Sequence, residues 1–167
     1  RVAQVAQEWD RQRGEYLDVR VTIRDTASGR ALLTLKGSSG PIHCLAFSSD
    51  GKRLAAGNGK EDSGGVQVWD LGTGKELFAR AGHSRDVSRV TFSPDGRLLA
   101  STSGHLFFST NRPNEVKVWE VNTGREFVSF KGHPHGEILS VAFSPDCKRL
   151  ASCCEITQYL DEKRFRS

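Results

Sequence analysis

The stretch VQVWDLGTGKELFARAGH, from Val66 to His83, is the strongest clue to the architecture, because much of it returns fifty residues later. The second copy is VKVWEVNTGREFVSFKGH, from Val116 to His133, and a more divergent copy, VTIRDTASGRALLTLKGS, runs from Val21 to Ser38. One glycine aligns in all three copies at spacings of 45 and then 50 residues: Gly29, Gly74 and Gly124. Self-similarity at this period predicts a series of stacked supersecondary units.

A second block recurs after each copy of the first. It reads CLAFSSDGKRLAAG from Cys44, RVTFSPDGRLLAST from Arg89 and SVAFSPDCKRLASC from Ser140. Because both blocks recur in one order, the repeated unit is a whole module rather than a single motif.

The unit from Ile42 to Ala81 predicts four short strands. The segment IHCLAF alternates in polarity and ends at SSDG, a composition that favours a tight hairpin turn. KRLAAG, GVQVWD and KELFARA follow as three further strands, the third of these segments after a Thr-Gly turn. Apolar residues occupy both alternations of several strands, so each sheet is predicted to pack on both faces, as in a propeller blade or a sheet stack.

Three motifs in fixed order carry a family resemblance: Gly82-His83, FSPDG from Phe92 to Gly96, and Trp69-Asp70. Together they resemble the WD-repeat (WD40) β-propeller family over residues 19–154, with the regular phrasing of bacterial-type repeats. The resemblance implies an all-β fold, a β-propeller built of four-stranded antiparallel blades. About three blades are present, two of them full, whereas closed propellers use about four to eight, so the ring is predicted to be incomplete.

The resemblance also implies a buried hydrogen-bond chain in each blade, from the Gly-His histidine through a second-strand serine to the third-strand tryptophan. In the middle repeat, which contains FSPDG, these positions are His83, Ser101 and Trp119. The repeat before it, which contains SSDG, keeps Trp69, and the repeat after it, which contains SPDC, keeps His133 and Ser152. The family has an Asp before the third strand, but the residues before Val116 are Arg112, Asn114 and Glu115. The implied role is structural, so no catalytic residue is predicted.

The two ends of the chain, residues 1–18 and 155–167, do not follow the repeat pattern. Residues 1–18 are predicted to be an N-terminal helix or a linker, because Val2, Val5, Ala6 and Trp9 fall at helical spacing. Residues 155–167 read as a degraded repeat or a C-terminal tail. The chain has no Met and begins at Arg1, which indicates a piece of a longer protein.

Composition narrows the class of partner. The net charge is +4, but no basic stripe is interleaved with aromatic residues, which argues against nucleic acid. No apolar run reaches the length of a membrane span. Four cysteines, Cys44, Cys147, Cys153 and Cys154, fit neither a zinc spacing nor a disulfide framework, and they predict a reduced, cytoplasmic protein. No cofactor or metal is predicted, and HPHGE, with His133, His135 and Glu137, reads as a loop.

The middle copy carries an insertion of five residues. Ala55 to Val66 spans 11 positions, whereas Ala100 to Val116 spans 16, and the extra residues fall within GHLFFSTNRPNE. By the resemblance, this loop lies beside the Gly-His loops on a face that commonly binds proteins. The predicted protein-binding loops supply Arg85, Asp86, Phe107, Phe108, Arg112, His135 and Glu137. The alternative is that His105 to Phe108 prolong the second strand and pack internally.

The predicted function is a non-catalytic WD40 module for protein–protein interaction or scaffolding, with a protein or peptide as partner. Self-association through open propeller edges is a further expectation. The alternative is an accessory propeller of a multidomain enzyme such as a bacterial serine/threonine protein kinase, whose catalytic domain is not within these residues. That alternative rests on analogy alone.

Overall fold

A computed structural model describes residues 1–10, 12–13, 15–37, 40–60, 63–104, 114–131 and 137–155. Within these residues all regular structure is β. The strands are β1 Val2–Asp10, β2 Glu15–Arg24, β3 Ala31–Lys36, β4 Ile42–Phe47, β5 Arg53–Lys60, β6 Ser63–Asp70, β7 Glu76–His83, β8 Val87–Phe92, β9 Leu98–Ser103, β10 Glu115–Glu120, β11 Glu126–Lys131, β12 Glu137–Phe143 and β13 Leu150–Glu155.

The strands form four antiparallel sheets in chain order. The first sheet is β1-β2-β3, the second β4-β5-β6-β7, the third β8-β9-β10-β11, and the fourth β12-β13. Each strand pairs with its neighbour in sequence, so every sheet is a meander. The two full blades and the closing pair of strands agree with the prediction, and the all-β, incomplete propeller is confirmed.

The prediction of a helix or linker over residues 1–18 is wrong. Residues 2–10 form β1, which pairs along its whole length with β2, from Val2 opposite Arg24 to Asp10 opposite Glu15. Ala3 and Val5 are half-buried toward the second sheet. The helical spacing of the apolar residues was misleading, because pairing with β2 determines the conformation and tertiary contacts override local propensity. The first sheet therefore has three strands.

The Ser-x-Asp-Gly turns follow one hydrogen-bond scheme. In the third sheet, Ser93 Oγ donates to Asp95 Oδ1 at 2.6 Å, and the backbone N–H of Arg97 donates to the same oxygen at 3.0 Å. Gly96 completes the turn at φ +70°. The fourth sheet has Cys147 in that position, at φ +60°. Any residue other than glycine is strained there, because its Cβ lies too close to the following carbonyl oxygen when the backbone is in the left-handed region.

The Asp of each Trp-Asp pair, or its equivalent, closes a second kind of turn. Asp70 Oδ1 accepts hydrogen bonds from the backbone N–H of Gly72 at 3.0 Å and of Thr73 at 2.8 Å. Asp25 makes the same contacts with Ala27 and Ser28. These bonds explain why Asp and the Ser-Gly or Thr-Gly pair recur together in the sequence.

In the part of the chain that the structure describes, three apolar clusters lie between consecutive sheets. The largest fills the space between the second and third sheets and includes Val68, Phe78, Leu99 and Trp119. A second joins the first and second sheets, and a small one, with Val118 and Val141, joins the third and fourth. Phe78 packs so closely on Gly124 that a Cβ there would lie 2.6 Å from its ring. The recurring turn glycine is therefore also a packing position for the preceding sheet.

Candidate functional site

The three network residues predicted in the middle copy meet in the structure. His83 ends β7, Ser101 lies on β9 and Trp119 on β10. Ser101 Oγ is 2.6 Å from His83 Nε2, and Trp119 Nε1 donates to the same Oγ at 2.7 Å. All three residues are buried. The network therefore joins the end of the second sheet to two strands of the third.

The Gly-His pair has a steric basis as well. A Cβ at Gly82 would lie 3.2 Å from Cη2 of Trp119, which is tighter than ordinary van der Waals contact. Glycine lets the chain pass the indole edge, and His83 then turns inward with its ring centroid 6.2 Å from that of Trp119. The motif is thus a packing unit as much as a hydrogen-bonding one.

Glu115 takes the place that the family assigns to an Asp. Its Oε2 is 3.4 Å from His83 Nδ1, and it accepts a hydrogen bond from the backbone N–H of Ser84 at 3.0 Å. The longer glutamate side chain reaches from the first residue of β10 rather than from the turn before it. Glu115 lies next to the position expected from the sequence, but the sequence pattern does not show that a glutamate side chain can reach His83, so this member of the network was missed.

The protonation state of His83 follows from this environment. Burial lowers the pKa of His83 to about 4, although Glu115 acts in the opposite direction. At neutral pH the imidazole is therefore uncharged, with a proton on only one of its two ring nitrogens. Because Ser101 Oγ already accepts from Trp119, the serine hydroxyl donates to Nε2, and Nδ1 is left facing Glu115 Oε2 at 3.4 Å without a hydrogen bond of full geometry. Ser101 is held as a connector between two buried rings, which suits a structural role.

The network positions predicted in the other repeats do not form the same complete chain of hydrogen bonds among the described residues. Trp69 is buried between the first and second sheets, beside Leu54. The equivalent of Ser101 in that sheet is Ala56, which cannot take part in such a chain. Ser152 lies half-buried on β13, opposite Val141. His133 lies outside the described residues.

The side chains of the Gly-His loop between β7 and β8 are more buried than the sequence suggested. Arg85 is only 8% exposed, so its side chain adds little to a surface rim, contrary to expectation. Asp86 is half-buried, with Oδ2 3.5 Å from His43 Nε2. The loop comes close to the β5–β6 hairpin because Gly59 has no side chain, and a Cβ there would lie 2.5 Å from the Cα of Asp86.

Both ends of the predicted insertion loop contact this region. The backbone N–H of Gly104, which follows β9, donates to the carbonyl of Asp86 at 3.4 Å. At the other end, the backbone N–H of Glu115 donates to Ser103 Oγ at 3.3 Å, and the preceding Asn114 is buried. Phe107, Phe108, Arg112 and His135 lie outside the described residues. Glu137 begins β12 opposite Glu155, and its side chain is likewise outside them.

Two arginines on strands of the second sheet, Arg53 on β5 and Arg80 on β7, donate hydrogen bonds to turns of the third sheet. Arg53 donates to the carbonyl of Gly96 at 3.0 Å and to Asn122 Oδ1 at 3.1 Å. Arg80 donates to the carbonyl of Gly124 at 3.1 Å. These guanidinium groups therefore bridge the second and third sheets.

The cysteines and acidic groups offer little chemistry in the part of the chain that is described. All four cysteines are free, and burial raises the pKa of the Cys44 thiol to about 12, so it stays protonated at neutral pH. Among the described residues, no group of three His, Cys, Asp or Glu side chains could hold a metal ion. Those residues also contain no helix long and apolar enough to cross a membrane.

Comparison with known families gives one match. The model described as "WD domain, G-beta repeat" matches residues 29–70, 74–120 and 124–155. Each matched unit starts at the turn glycine before an outermost strand, and the two complete ones end at the Asp or Glu that follows a tryptophan. A matched unit therefore spans two sheets, which is how the His83 network comes to connect them. No curated protein matches the chain.

Proposed function

Because the chain belongs to the WD40 repeat family, we propose that it is a non-catalytic module whose loops bind a protein or peptide. WD40 repeats generally mediate protein interactions or scaffolding, and their domains are generally non-catalytic. The finer proposal is that the surface made by the Ser84–Asp86 loop and the 105–113 loop is the one that binds.

The anchoring of the insertion loop is the observation that carries this proposal. Gly104 bonds to Asp86 at one end of the loop, and Glu115 bonds to the backbone of Ser84 at the other. Nine residues, 105–113, connect two points held against the Gly-His loop. Fixed ends reduce the ordering cost of binding, since less conformational entropy is lost when the loop meets a partner.

The residue types in this loop support a protein partner. Phe107, Phe108 and Arg112 belong to the classes enriched at interface hot spots, where a few aromatic and arginine side chains supply most of the binding free energy. The role of Arg85 differs from the sequence-based expectation. Only 8% of Arg85 is exposed, so its side chain has little surface with which to contact a partner.

A paired substitution tests the proposal. The variant Phe107→Ala/Phe108→Ala is compared with Phe127→Ala, which removes a phenyl group that is 63% exposed on β11, away from the loop. Proteins captured by the wild-type chain are identified, and the dissociation constant of one purified partner is measured against each variant. We expect the double variant to bind at least tenfold more weakly and Phe127→Ala to bind normally, with unchanged melting temperatures. Equal affinity for all three proteins would overturn the proposal.

A further inference from the structure

Three segments of the chain meet beside the Gly-His loop. His43 lies on β4, Gly59 near the end of β5, and Asp86 in the loop between β7 and β8. His43 Nε2 is 3.3 Å from the carbonyl oxygen of Gly59 and 3.5 Å from Asp86 Oδ2. An imidazole nitrogen, a carboxylate and a main-chain oxygen therefore lie together, and we call these three residues the His43 cluster.

The repeat does not account for the two side chains of the His43 cluster. In the following sheet the position of His43 is held by Ser88, because β4 and β8 begin at equivalent positions. In the preceding repeat the position of Asp86 is held by Pro41. The propeller fold therefore requires neither a histidine nor a carboxylate at these positions, and their pairing needs a separate explanation.

The carboxylate of Asp86 is incompletely satisfied. Its Oδ1 atom is buried and has no hydrogen-bond partner. The β5–β6 hairpin lies directly against it, because a Cβ at Gly59 would be 2.6 Å from Oδ1 and 2.9 Å from the carbonyl oxygen of Ser63. A buried carboxylate oxygen without a donor is costly, and neighbouring carbonyl oxygens add negative potential. A cation bound at the cluster would therefore be stabilised by this arrangement of oxygens.

The spacing of the donor atoms fits a metal ion. Ligands bound about 2.0–2.1 Å from a tetrahedral zinc ion lie about 3.3–3.4 Å from one another. The separations from His43 Nε2, 3.3 and 3.5 Å, are close to that value. We infer that His43, Asp86 and the Gly59 carbonyl bind a divalent transition-metal ion of the zinc type, with water in the remaining position. The imidazole ligand favours such ions over magnesium and calcium, which prefer oxygen ligands.

Metal binding at this cluster requires one proton to leave. Both neighbours of His43 Nε2 are hydrogen-bond acceptors, so in the metal-free protein this nitrogen carries the ring proton. The ion takes the place of that proton, which passes to solvent. The His43 side chain is 33% exposed, so the ion can reach the cluster from solvent. Two side chains and one carbonyl are fewer protein ligands than a structural zinc site uses, so the binding is expected to be reversible.

Isothermal titration of the 167-residue chain with zinc chloride tests the inference. We expect saturable binding of zinc and no saturable binding of magnesium or calcium. His43→Ser introduces the residue found at the equivalent position of β8, and Asp86→Asn keeps the size of the side chain, so each should weaken zinc binding at least tenfold without unfolding the protein. Cys153→Ser is the control, because it removes an exposed thiol elsewhere, and it should leave the affinity unchanged.

A second measurement on the wild-type chain does not depend on the folding of any variant. Zinc should shift the nitrogen-15 signal of His43 Nε2 and leave that of the buried His83 unchanged. Unaltered affinity in both His43→Ser and Asp86→Asn, a loss in Cys153→Ser alone, or an unshifted His43 signal would overturn the inference. Because zinc alone is the probe, these outcomes do not depend on the protein partner proposed above.

Discussion

At the scale of single residues, Ser101 shows how much one hydroxyl holds together. It connects Trp119 and His83 inside the junction between the second and third sheets. Replacement by alanine is sterically acceptable, because Ala56 occupies the same position in the second sheet. The cost of Ser101→Ala is therefore the loss of partners for two buried polar groups.

We expect Ser101→Ala to lower the free energy of unfolding by about 1–3 kcal/mol, the usual cost of leaving a buried donor or acceptor unpaired. Urea denaturation followed by tryptophan fluorescence measures this. Ser63→Ala is the control, because Ser63 is exposed at the start of β6. If the two variants unfold at the same urea concentration, the network contributes nothing to stability.

His83 gives the protein a defined response to acid. Its pKa is about 4 in the folded protein and about 6.5 when unfolded, so the unfolded state binds more protons between these values. The stability that the neutral ring contributes is present in full above pH 6.5 and is lost as the pH falls toward 4. The difference corresponds to about 3 kcal/mol.

The turn aspartates act in a lower pH window. Hydrogen bonds from Ser48 and Ser93 hold the pKa values of Asp50 and Asp95 below the ordinary value, so their contribution is lost only as the pH falls below about 4. We therefore expect His83→Gln to flatten the dependence of the unfolding midpoint on pH between 6.5 and 4 and to leave the loss below pH 4 unchanged. An unchanged slope between 6.5 and 4 would mean that His83 does not titrate differently on unfolding.

At the scale of strands and turns, the β12–β13 turn differs from its counterparts by one residue. Cys147 adopts φ +60°, where Gly51 and Gly96 stand in the other copies. We expect Cys147→Gly to stabilise the protein by about 1 kcal/mol, because it relieves the left-handed strain, with a partial offset from the greater freedom of glycine in the unfolded chain. Thermal unfolding measures the gain.

Gly96→Ala is the reciprocal control for that turn. Gly96 has φ +70°, and no atom lies within 4 Å of a Cβ built there, so strain alone should destabilise the variant. A rise in melting temperature for Gly96→Ala, or a fall for Cys147→Gly, would contradict the strain argument.

The strands of the two full sheets could be predicted from the sequence because their turns carry fixed chemistry. Ser93, Asp95 and Gly96 define a hairpin by local hydrogen bonds and a single φ value. β1 lacks such a signal. Its strand form depends on pairing with β2, a contact between residues 22 positions apart at its far end, Val2 and Arg24. Local pattern cannot show that pairing.

The network was predictable in part for a similar reason. His83, Ser101 and Trp119 hold fixed repeat positions, whereas Glu115 joins them through side-chain length and the path of the chain into β10. The burial of Arg85 also depends on another hairpin, where Gly59 and Gly64 let the loop approach. Contacts between different sheets were therefore the part that sequence pattern could not supply.

At the scale of the whole molecule, the sheets are unequally supported. Among the described residues, the cluster between the second and third sheets has ten buried members, whereas that between the third and fourth has three. Val128, the repeat equivalent of the buried Phe78, is 40% exposed on β11. In a stacked array each sheet is stabilised by its neighbours, so the described end at β12 and β13 has the smallest share of buried apolar surface.

This inequality predicts the order in which the sheets open. Amides of β12 and β13 should exchange with solvent before those of β5, β6, β9 and β10, because opening the fourth sheet exposes only the small cluster around Val118 and Val141. Hydrogen exchange read by mass spectrometry on peptic peptides measures the order. Val118→Ala should speed exchange in the fourth sheet, and Val68→Ala, at the central junction, should speed it in the second and third sheets together. Equal exchange in all four sheets would show one cooperative unit, in which each junction's stability is shared by the whole array.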